Sequence, residues 1–287
     1  MRSYKPPSDT HVVRARGVDF SYLEWGNEGP LLLLVHGFPD TARTWDRVGP
    51  ALAADGYRVV APFTRGYAPT TIPPDGKYDA DSLAEDLAAL VDSLGASRAI
   101  LVGHDWGAGA AYSLAGLHPE RVQALVAVGV PHPAAIWPSP RLLWGVRHFL
   151  TLRLPGAADR FARDDFAGIR TLYERWSPTH EWPDSELDEA RNSFSSPGSL
   201  HAALGYYRAL SPRPPPGQRA RIPVPTLIIG GRDDGVVTAA DFESSRGRFT
   251  GPIDIEMLPG GHFLHREHPG PFLAALRAFL GAPGRWR

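Results

Sequence analysis

The sequence of 287 residues contains no cysteine, so the chain can form no disulfide bond and has no thiol nucleophile. A metal site would therefore have to be built from histidine and carboxylate ligands alone. Lysine is nearly missing as well, because it occurs only at positions 5 and 77 and arginine supplies the other basic residues. We attribute this bias to genome composition and not to function.

An excess of charge of one sign is also missing. The formal net charge of −1 gives no support for binding to nucleic acid or to an acidic membrane surface. No apolar run approaches the ~20 residues needed to cross a bilayer. The segment Met1–Thr10 is polar and contains two prolines, which predicts neither a signal peptide nor a membrane anchor. We therefore expect a cytoplasmic protein without a nucleic-acid or membrane partner.

Short apolar runs alternate with helical patterns along most of the chain. A run that is apolar throughout predicts a strand buried on both faces, as in a parallel sheet covered by helices. After a hairpin over residues 12–25, the predicted strands are Leu31–Val35, Tyr57–Ala61, Ala99–Val102, Gln123–Val130, Pro225–Gly230 and Ile253–Leu258. The predicted helices are Ala80–Leu94, Ala108–His118, Thr238–Arg246 and Pro271–Leu280. This alternation predicts an α/β fold with a mostly parallel, doubly wound sheet.

Residues 134–217 interrupt the alternation, because they contain no clear strand and are rich in Trp, Arg and Pro. The segment ends in the proline-rich Ser211–Gly217, which is typical of a stiff linker. We predict a helical cap of residues 134–217 inserted into a core of residues 1–133 and 218–287, covering the sheet edge where ligands bind. Aromatic residues of this cap predict an apolar substrate chamber or packing against the core: Trp137, Trp144, Phe149, Trp176 and Trp182.

The most informative motif is Gly103-His104-Asp105-Trp106-Gly107, which follows a predicted strand and precedes a predicted helix. This is the pattern of a nucleophile elbow, Gly-x-nucleophile-x-Gly, with an aspartate at its centre. The nucleophile of an elbow lies on a strained turn, where side chains at the glycine positions would clash. A carboxylate displaces a leaving group from a saturated carbon and becomes an ester. Asp105 therefore predicts an epoxide or alkyl halide substrate, whereas a serine would predict an ester or amide.

Two further motifs supply a candidate acid and a candidate base. Asp234 follows a predicted strand, where a carboxylate can accept a hydrogen bond from a histidine and fix its tautomer. The adjacent Asp233 is the alternative. His262 lies on a glycine loop after the last predicted strand and is the candidate base, and the chain order nucleophile, acid, histidine is that of an α/β hydrolase. Two nearby histidines are assigned to the start of the final helix, facing solvent or packed: His265 and His268.

The segment His36–Pro39 follows the predicted strand Leu31–Val35 and predicts half of an oxyanion hole. In such a site, backbone N–H groups point at the oxygen that becomes negative. We expect these donors to be the N–H groups of Phe38 and Trp106, and the oxygen to be the carbonyl oxygen of the Asp105 ester.

Together these motifs resemble those of the α/β-hydrolase-fold epoxide hydrolases over nearly the whole chain. The matching segments are His36–Pro39, Gly103–Gly107, Gly231–Val236, Gly261–His262 and Tyr206–Arg208. The resemblance implies that an epoxide is opened to a vicinal diol through an Asp105 ester, which water activated by His262 hydrolyses. It also implies a small apolar substrate, no metal or organic cofactor, and a monomer or homodimer. The residues expected beside the substrate are His36, Pro39, Trp106 and Tyr206.

Epoxide hydrolases typically use two tyrosines of the cap as acids that protonate the emerging alkoxide, and a neutral phenol suits this role. By resemblance, Tyr207 matches one of them, and its neighbour Tyr206 is a second phenol at the same place. The position that matches the other tyrosine holds His148, which is either a replacement acid or a structural residue. Tyr173 is a further cap phenol that lies in no motif.

Three alternatives remain open on the sequence. Haloalkane dehalogenases share the elbow and Trp106, but they typically have Asn at the position of Phe38, and fluoroacetate dehalogenases usually have Arg at the position of Trp106. A non-catalytic small-molecule-binding relative has no need to keep nucleophile, base and acid together. The last alternative is a biosynthetic enzyme that acts on one elaborate epoxide or lactone.

Overall fold

The computed structural model describes residues 9–137 and 139–281, and a single sheet lies at its centre. Its strands are β1 (His11–Ala15), β2 (Val18–Trp25), β3 (Leu31–Val35), β4 (Arg58–Pro62), β5 (Ala99–His104), β6 (Val122–Val128), β7 (Thr226–Gly231) and β8 (Ile253–Leu258). Their order across the sheet is β1-β2-β4-β3-β5-β6-β7-β8. β1 and β2 form the predicted hairpin, and β3 to β8 are mutually parallel. The predicted α/β fold with a mostly parallel sheet is confirmed.

The helices pack on both faces of the sheet and between β6 and β7. They are α1 (Gly49–Ala54), α2 (Ala80–Ser93), α3 (Trp106–Leu117), α4 (Pro140–Gly145), α5 (His148–Thr151), α6 (Ala157–Trp176), α7 (Asp188–Ser195), α8 (Ser199–Arg208), α9 (Pro216–Arg219), α10 (Ala239–Glu243), α11 (Leu264–Glu267) and α12 (Pro269–Leu280). Short α1 and α11 were not predicted. The predicted helix Thr238–Arg246 is α10 followed by a 3-10 helix over Ser244–Arg248.

The central strands are buried because each lies between helices on both faces of the sheet. All five residues of β3 and all six residues of β5 are buried. This explains why their sequences are apolar throughout instead of alternating. On β8 every residue is only half-buried, as expected for a strand at the edge of the sheet.

Helices α4 to α8 lie between β6 and β7, and the described residues of this interval contain no strand. The proline-rich segment ends as the short helix α9, which packs on α3. Arg266 of α11 joins this interval to the rest of the molecule, because its guanidinium bonds to the Tyr173 hydroxyl at 2.7 Å and to the Glu186 carboxylate at 3.0 Å. The same guanidinium bonds to the buried Asp40 at 3.1 Å.

Two predictions about the aromatic residues of this interval are wrong. Trp137 and Trp144 are 84% and 70% exposed, so they neither line a chamber nor pack against the core. Trp176 and Trp182 are buried, and Phe149 borders a cavity. A sequence pattern shows that a side chain is apolar, but the direction in which it points depends on tertiary packing.

The prediction about Met1–Thr10 concerns residues of which 1–8 lie outside those the structure describes. Among the helices that it does describe, none combines the length and apolar character required to cross a bilayer.

Candidate active site

The site lies at the carboxyl ends of β3 and β5. The chain passes from β3 to β4 on one side and then to β5 on the other, so the crevice between β3 and β5 is the switch point at which such sheets bind ligands. The loop after β3 carries Phe38, and the residue after β5 is Asp105. The Phe38 N–H donates to Asp105 Oδ1 at 2.8 Å.

Asp105 has a strained backbone, with φ of 52° and ψ of −117°. The surrounding glycines allow the close packing that this turn needs. A Cβ at Gly37 would overlap the Asp105 side chain, and one at Gly103 would overlap the carbonyl of Gly107. A Cβ at Gly107 would in turn overlap the backbone of β3. The predicted clash at the glycine positions of the elbow is confirmed.

His262 lies between two carboxylates. Its Nδ1 is 3.0 Å from Asp234 Oδ2, and its Nε2 is 3.5 Å from Asp105 Oδ2. The other oxygen of Asp234 accepts the backbone N–H groups of Val236 at 2.7 Å and Val237 at 3.1 Å. The Asp234 carboxylate is therefore held in one orientation, which leaves its second oxygen directed at the imidazole.

Of the two adjacent aspartates, only Asp234 contacts the imidazole. Asp233 faces the other way, and one of its oxygens lies 3.4 Å from the N–H of Gly260. Both residues thus contribute to the loops after β7 and β8, but in different ways. Asp233 ties the two loops together, and Asp234 reaches the histidine.

The two carboxylates determine the charge of His262. Burial of the ring opposes its protonation, but the interactions with Asp105 and Asp234 outweigh burial and raise the pKa of His262 to about 10. Burial also opposes ionisation of Asp105, and its contact with His262 lowers the pKa of that carboxyl below the usual range. The resting site therefore holds an imidazolium between two carboxylates at neutral pH.

The loop that carries His262 is fixed from two sides. The carbonyl of Trp176, at the end of α6, accepts the backbone N–H of His262 at 3.0 Å and that of Gly235 at 3.2 Å. From the elbow, His104 Nε2 donates to the carbonyl of His262 at 3.0 Å. Burial lowers the pKa of His104 to about 3, so this ring is neutral. Neither contact could be predicted from the sequence, because neither a backbone carbonyl nor the variable position of an elbow carries a motif.

Tyr207 of α8 packs against Phe38 and Trp106, and His148 of α5 packs against Tyr207. The ring of Tyr207 is 5.1 Å from the rings of Phe38 and Trp106 and 5.7 Å from that of His148. Burial and the charge of Asp105 raise the pKa of Tyr207, so its phenol keeps its proton. Burial, with a contribution from the charge of Arg175, lowers the pKa of His148 to about 3. Its Nδ1 has no hydrogen-bond partner among the described residues.

Tyr206 and Tyr173 use their hydroxyl groups elsewhere. The Tyr206 hydroxyl donates to the carbonyl of Arg65 at 2.9 Å, although its ring borders the cavity described below. The Tyr173 hydroxyl is bonded to Arg266. Tyr207 is therefore the phenol of this group that is nearest to Trp106 and Phe38 without such a bond to the backbone or to arginine.

His36 and Pro39 are both buried in the loop after β3. The Nδ1 of His36 is 2.9 Å from the carbonyl of Gly37, and its Nε2 accepts the N–H of Thr64 at 3.0 Å. These bonds fix one tautomer, and burial lowers the pKa of His36 to about 4. In this geometry His36 holds the loop that presents the Phe38 N–H.

A cavity of about 460 Å³ reaches Asp105 from the side of the proline-rich segment. Trp106, Ile136 and Phe149 contribute apolar wall, and the chain from Ala209 to Pro216 closes one side. A volume of this size fits a small organic molecule. Within residues 9–137 and 139–281, no three His, Asp or Glu side chains are grouped as metal ligands would be.

Comparison with known proteins gives consistent matches over the length of the chain. The profile of a family described as alpha/beta hydrolase fold matches residues 30–269. Epoxide hydrolase A of Mycobacterium tuberculosis is 33% identical over 94% of this chain and 96% of its own length. The crystal structure of an epoxide hydrolase of Bacillus megaterium in complex with an inhibitor superposes with a TM-score of 0.84, at 26% identity, over 95% of this chain and all of that one (100%). Epoxide hydrolase A of Mycobacterium thermoresistibile superposes with a TM-score of 0.79, at 29% identity, over 95% of this chain and 98% of that one.

Proposed function

The chain belongs to the α/β hydrolase fold family and, within it, to the epoxide hydrolases, and from this premise we propose that it converts a small apolar epoxide to a vicinal diol through an ester of Asp105. The observation that carries the proposal is the position of the Asp105 carboxylate. It borders an apolar cavity and lies beside both the Phe38 N–H and the His262 imidazole. A carboxylate in that place can attack a saturated carbon, and His262 lies where it can serve as the base once the ester has formed.

In the first half of the reaction, one oxygen of Asp105 forms a bond to an epoxide carbon and the carbon–oxygen bond of the ring breaks. The departing oxygen takes a proton from the Tyr207 hydroxyl. The raised pKa of Tyr207 suits this step, because the phenol remains protonated until a more basic alkoxide forms. We assign His148 a supporting role beside Tyr207, since its ring is 5.7 Å away.

The ester changes the charge of His262. Esterification removes the negative charge that lies 3.5 Å from Nε2, so the pKa of His262 falls. Its proton passes to the Tyr207 phenolate and restores the phenol. His262 thereby becomes a neutral base only after the nucleophile has reacted, while Asp234 keeps the ring in place.

In the second half, neutral His262 takes a proton from water, and the hydroxide attacks the carbonyl carbon of the ester. The negative oxygen that results meets the Phe38 N–H, which already donates to Asp105 Oδ1. Trp106 is the first residue of α3, so its N–H has no acceptor within the helix and is the proposed second donor. When the bond to the alcohol oxygen breaks, His262 protonates the diol and regains a proton from the carboxylic acid of Asp105.

We also propose that residues 134–217 act as a cap that carries Tyr207 and His148 over the sheet. From the sequence we also propose a cytoplasmic location, a monomeric or homodimeric state and a reaction without a cofactor.

The test combines product analysis with isotope labelling. Wild type, Asp105→Asn and the matched control Asp233→Asn are incubated with terminal and aryl epoxides, and diol is quantified. Asp105→Asn is expected to form no diol, while Asp233→Asn keeps activity because Asp233 does not contact the imidazole.

Single-turnover reaction of wild type in ¹⁸O-labelled water then identifies the source of the new oxygen. The first diol should be unlabelled, and peptide mass spectrometry should find the label in Asp105. Label in the first diol would contradict the ester, and bromide release from bromoalkanes without diol from any epoxide would contradict the substrate class.

A further inference from the structure

The helical stretch α4–α5 is apolar on two faces. Its inward face carries the buried Leu142, Gly145, His148 and Leu152, three or four residues apart. Its outward face carries Leu143, Trp144 and Leu150, which are 59%, 70% and 70% exposed. A helix with exposed apolar side chains on its outward side normally has a partner there. These exposed fractions show that the described residues leave most of the outward face open to solvent.

Two more exposed apolar side chains flank this stretch in the sequence. Trp137 before α4 is 84% exposed and Leu154 after α5 is 55% exposed. The outer α4–α5 surface is defined by Trp137, Leu143, Trp144, Leu150 and Leu154. Only two other large apolar side chains of the described residues are exposed, Val12 and Ile72, and they lie elsewhere in the chain. Single exposed apolar residues are ordinary, whereas a cluster marks an interaction surface.

The charge of the same stretch has one sign. From Arg121 to Ala158 the sequence contains no aspartate and no glutamate, although the chain has 31 acidic residues in all. Arg147 lies over the Trp144 ring, with its guanidinium carbon 4.4 Å from the ring centre. Arg147 and Arg153 form no ion pair with any described residue, whereas Arg141 is paired with Asp241 at 2.9 Å. The net charge of −1 for the whole chain does not reveal this local excess of positive charge.

We propose that the outer α4–α5 surface binds the surface of an anionic lipid bilayer. Tryptophan and leucine enter the boundary between head groups and acyl chains, while arginines beside them contact the lipid phosphates. A second copy of the chain fits less well, because a two-fold axis would place the uncompensated Arg147 and Arg153 of both copies in one interface. The expectation of no membrane partner rested on the absence of a spanning segment and on the net charge, which averages over the whole chain.

The inner side of the same stretch borders the active site. His148 of α5 lies beside Tyr207, and Phe149 lines the cavity. A bilayer on the outer face would bring dissolved apolar molecules within one helix diameter of the cavity wall. The proposed binding itself does not depend on the proposed reaction, and its test uses no substrate.

The test is co-sedimentation of the full chain with vesicles of phosphatidylcholine containing about 30 mol % phosphatidylglycerol, compared with pure phosphatidylcholine. Wild type should bind the anionic vesicles, and binding should weaken as salt is added. The double variant Trp144→Ser, Leu150→Ser should lower the partition coefficient at least about tenfold. Its matched control is Val12→Ser, Ile72→Ser, which removes two exposed apolar side chains outside the surface and should bind like wild type.

A second pair of variants isolates the charge. Arg147→Gln, Arg153→Gln should lower the partition coefficient about fivefold for each arginine removed. The control Arg98→Gln, Arg221→Gln removes two exposed arginines elsewhere and should bind like wild type. Thermal melts of all four variants verify that each remains folded.

Three results would overturn the proposal. One is wild-type binding to anionic vesicles no stronger than to pure phosphatidylcholine, and another is equal loss of binding in the control variants. The third is a wild-type dimer in sedimentation velocity that the Trp144→Ser, Leu150→Ser variant converts to monomer, without vesicle binding by either. That result would assign the surface to a contact between two copies.

Discussion

The floor of the site (Asp105, Asp234 and His262) and its roof (Tyr207 and His148) are held by different forces. On the floor, both oxygens of Asp234 have partners, and Asp105 accepts a backbone N–H while facing the imidazole. On the roof, aromatic rings surround Tyr207 and His148, and His148 Nδ1 has no partner among the described residues. The floor is thus fixed by directional bonds on loops that follow strands, and the roof by packing.

This difference separates two tasks. Covalent chemistry needs atoms placed to within a few tenths of an ångström, which hydrogen bonds from rigid loops supply. Protonating a departing oxygen needs a donor that keeps its proton at rest, and the buried Tyr207 phenol is such a donor. We therefore expect floor substitutions to abolish turnover and roof substitutions to slow one step.

The largest effect is expected for His262→Gln. Without a base the ester cannot be hydrolysed, so turnover should fall about 10⁵-fold, while Asp105 still reacts once with the epoxide. Intact-mass spectrometry should therefore find the enzyme shifted by the mass of one substrate. An unmodified protein after long incubation would show that His262 is already needed for ester formation. Asp105 and His262 would then not act in separate steps.

Tyr207→Phe should cost less, about 10²–10³-fold in the rate of ester formation, because it removes one proton donor. Rapid-quench kinetics should find ester hydrolysis unchanged. Tyr206→Phe is the matched control, since the Tyr206 hydroxyl donates to the Arg65 carbonyl. It should cost about 1 kcal/mol of stability and less than about tenfold in rate. Equal rate losses in both variants would remove the distinction between the two phenols.

The charge of His262 should be visible in the pH dependence of stability. Its pKa is raised to about 10 in the folded protein, from an ordinary value of 6.5. The native state then holds a proton that the unfolded chain releases, so this contribution is complete below pH 6.5 and is lost as the pH rises towards 10. In Asp105→Asn the loss should be about 2 kcal/mol smaller. Urea unfolding at several pH values measures the free energy of unfolding of both proteins. The same pH dependence in wild type and in Asp105→Asn would contradict the coupling between His262 and Asp105.

The smallest effect is expected for His148→Gln on the roof. The pKa of His148 is lowered to about 3, so the unfolded chain binds a proton that the native state excludes. Stability from this group is present above pH 6.5 and is lost as the pH falls towards 3. Between pH 6.5 and about pH 5.5 the variant should therefore reduce the acid-induced loss of unfolding free energy by about 1 kcal/mol. If the pH dependence of stability were the same in the variant and in wild type, folding would not lower the pKa of His148.

The floor residues could be predicted from the sequence because they follow apolar strands and lie next to glycines. At the elbow these glycines are needed for close backbone packing, which makes the motif specific. The choice between Asp233 and Asp234 could not, because it depends on which way the turn directs two adjacent carboxylates. On the roof, Tyr207 and His148 rested on the resemblance, since helix packing leaves no local signal. For the same reason the exposure of Trp137 and Trp144 was missed.

The backbone carbonyl of Trp176 limits how the segment between β6 and β7 can be exchanged in evolution or by engineering. Trp176 closes α6 in the interval between β6 and β7, yet its carbonyl accepts the N–H groups of both Gly235 and His262. The inserted segment is therefore part of the scaffold that sets the histidine, and it is not an interchangeable module. A chimaera that receives another protein's segment must place a backbone carbonyl where that of Trp176 lies. Otherwise the loop that carries His262 would lose this contact, and activity would be lost together with the old specificity.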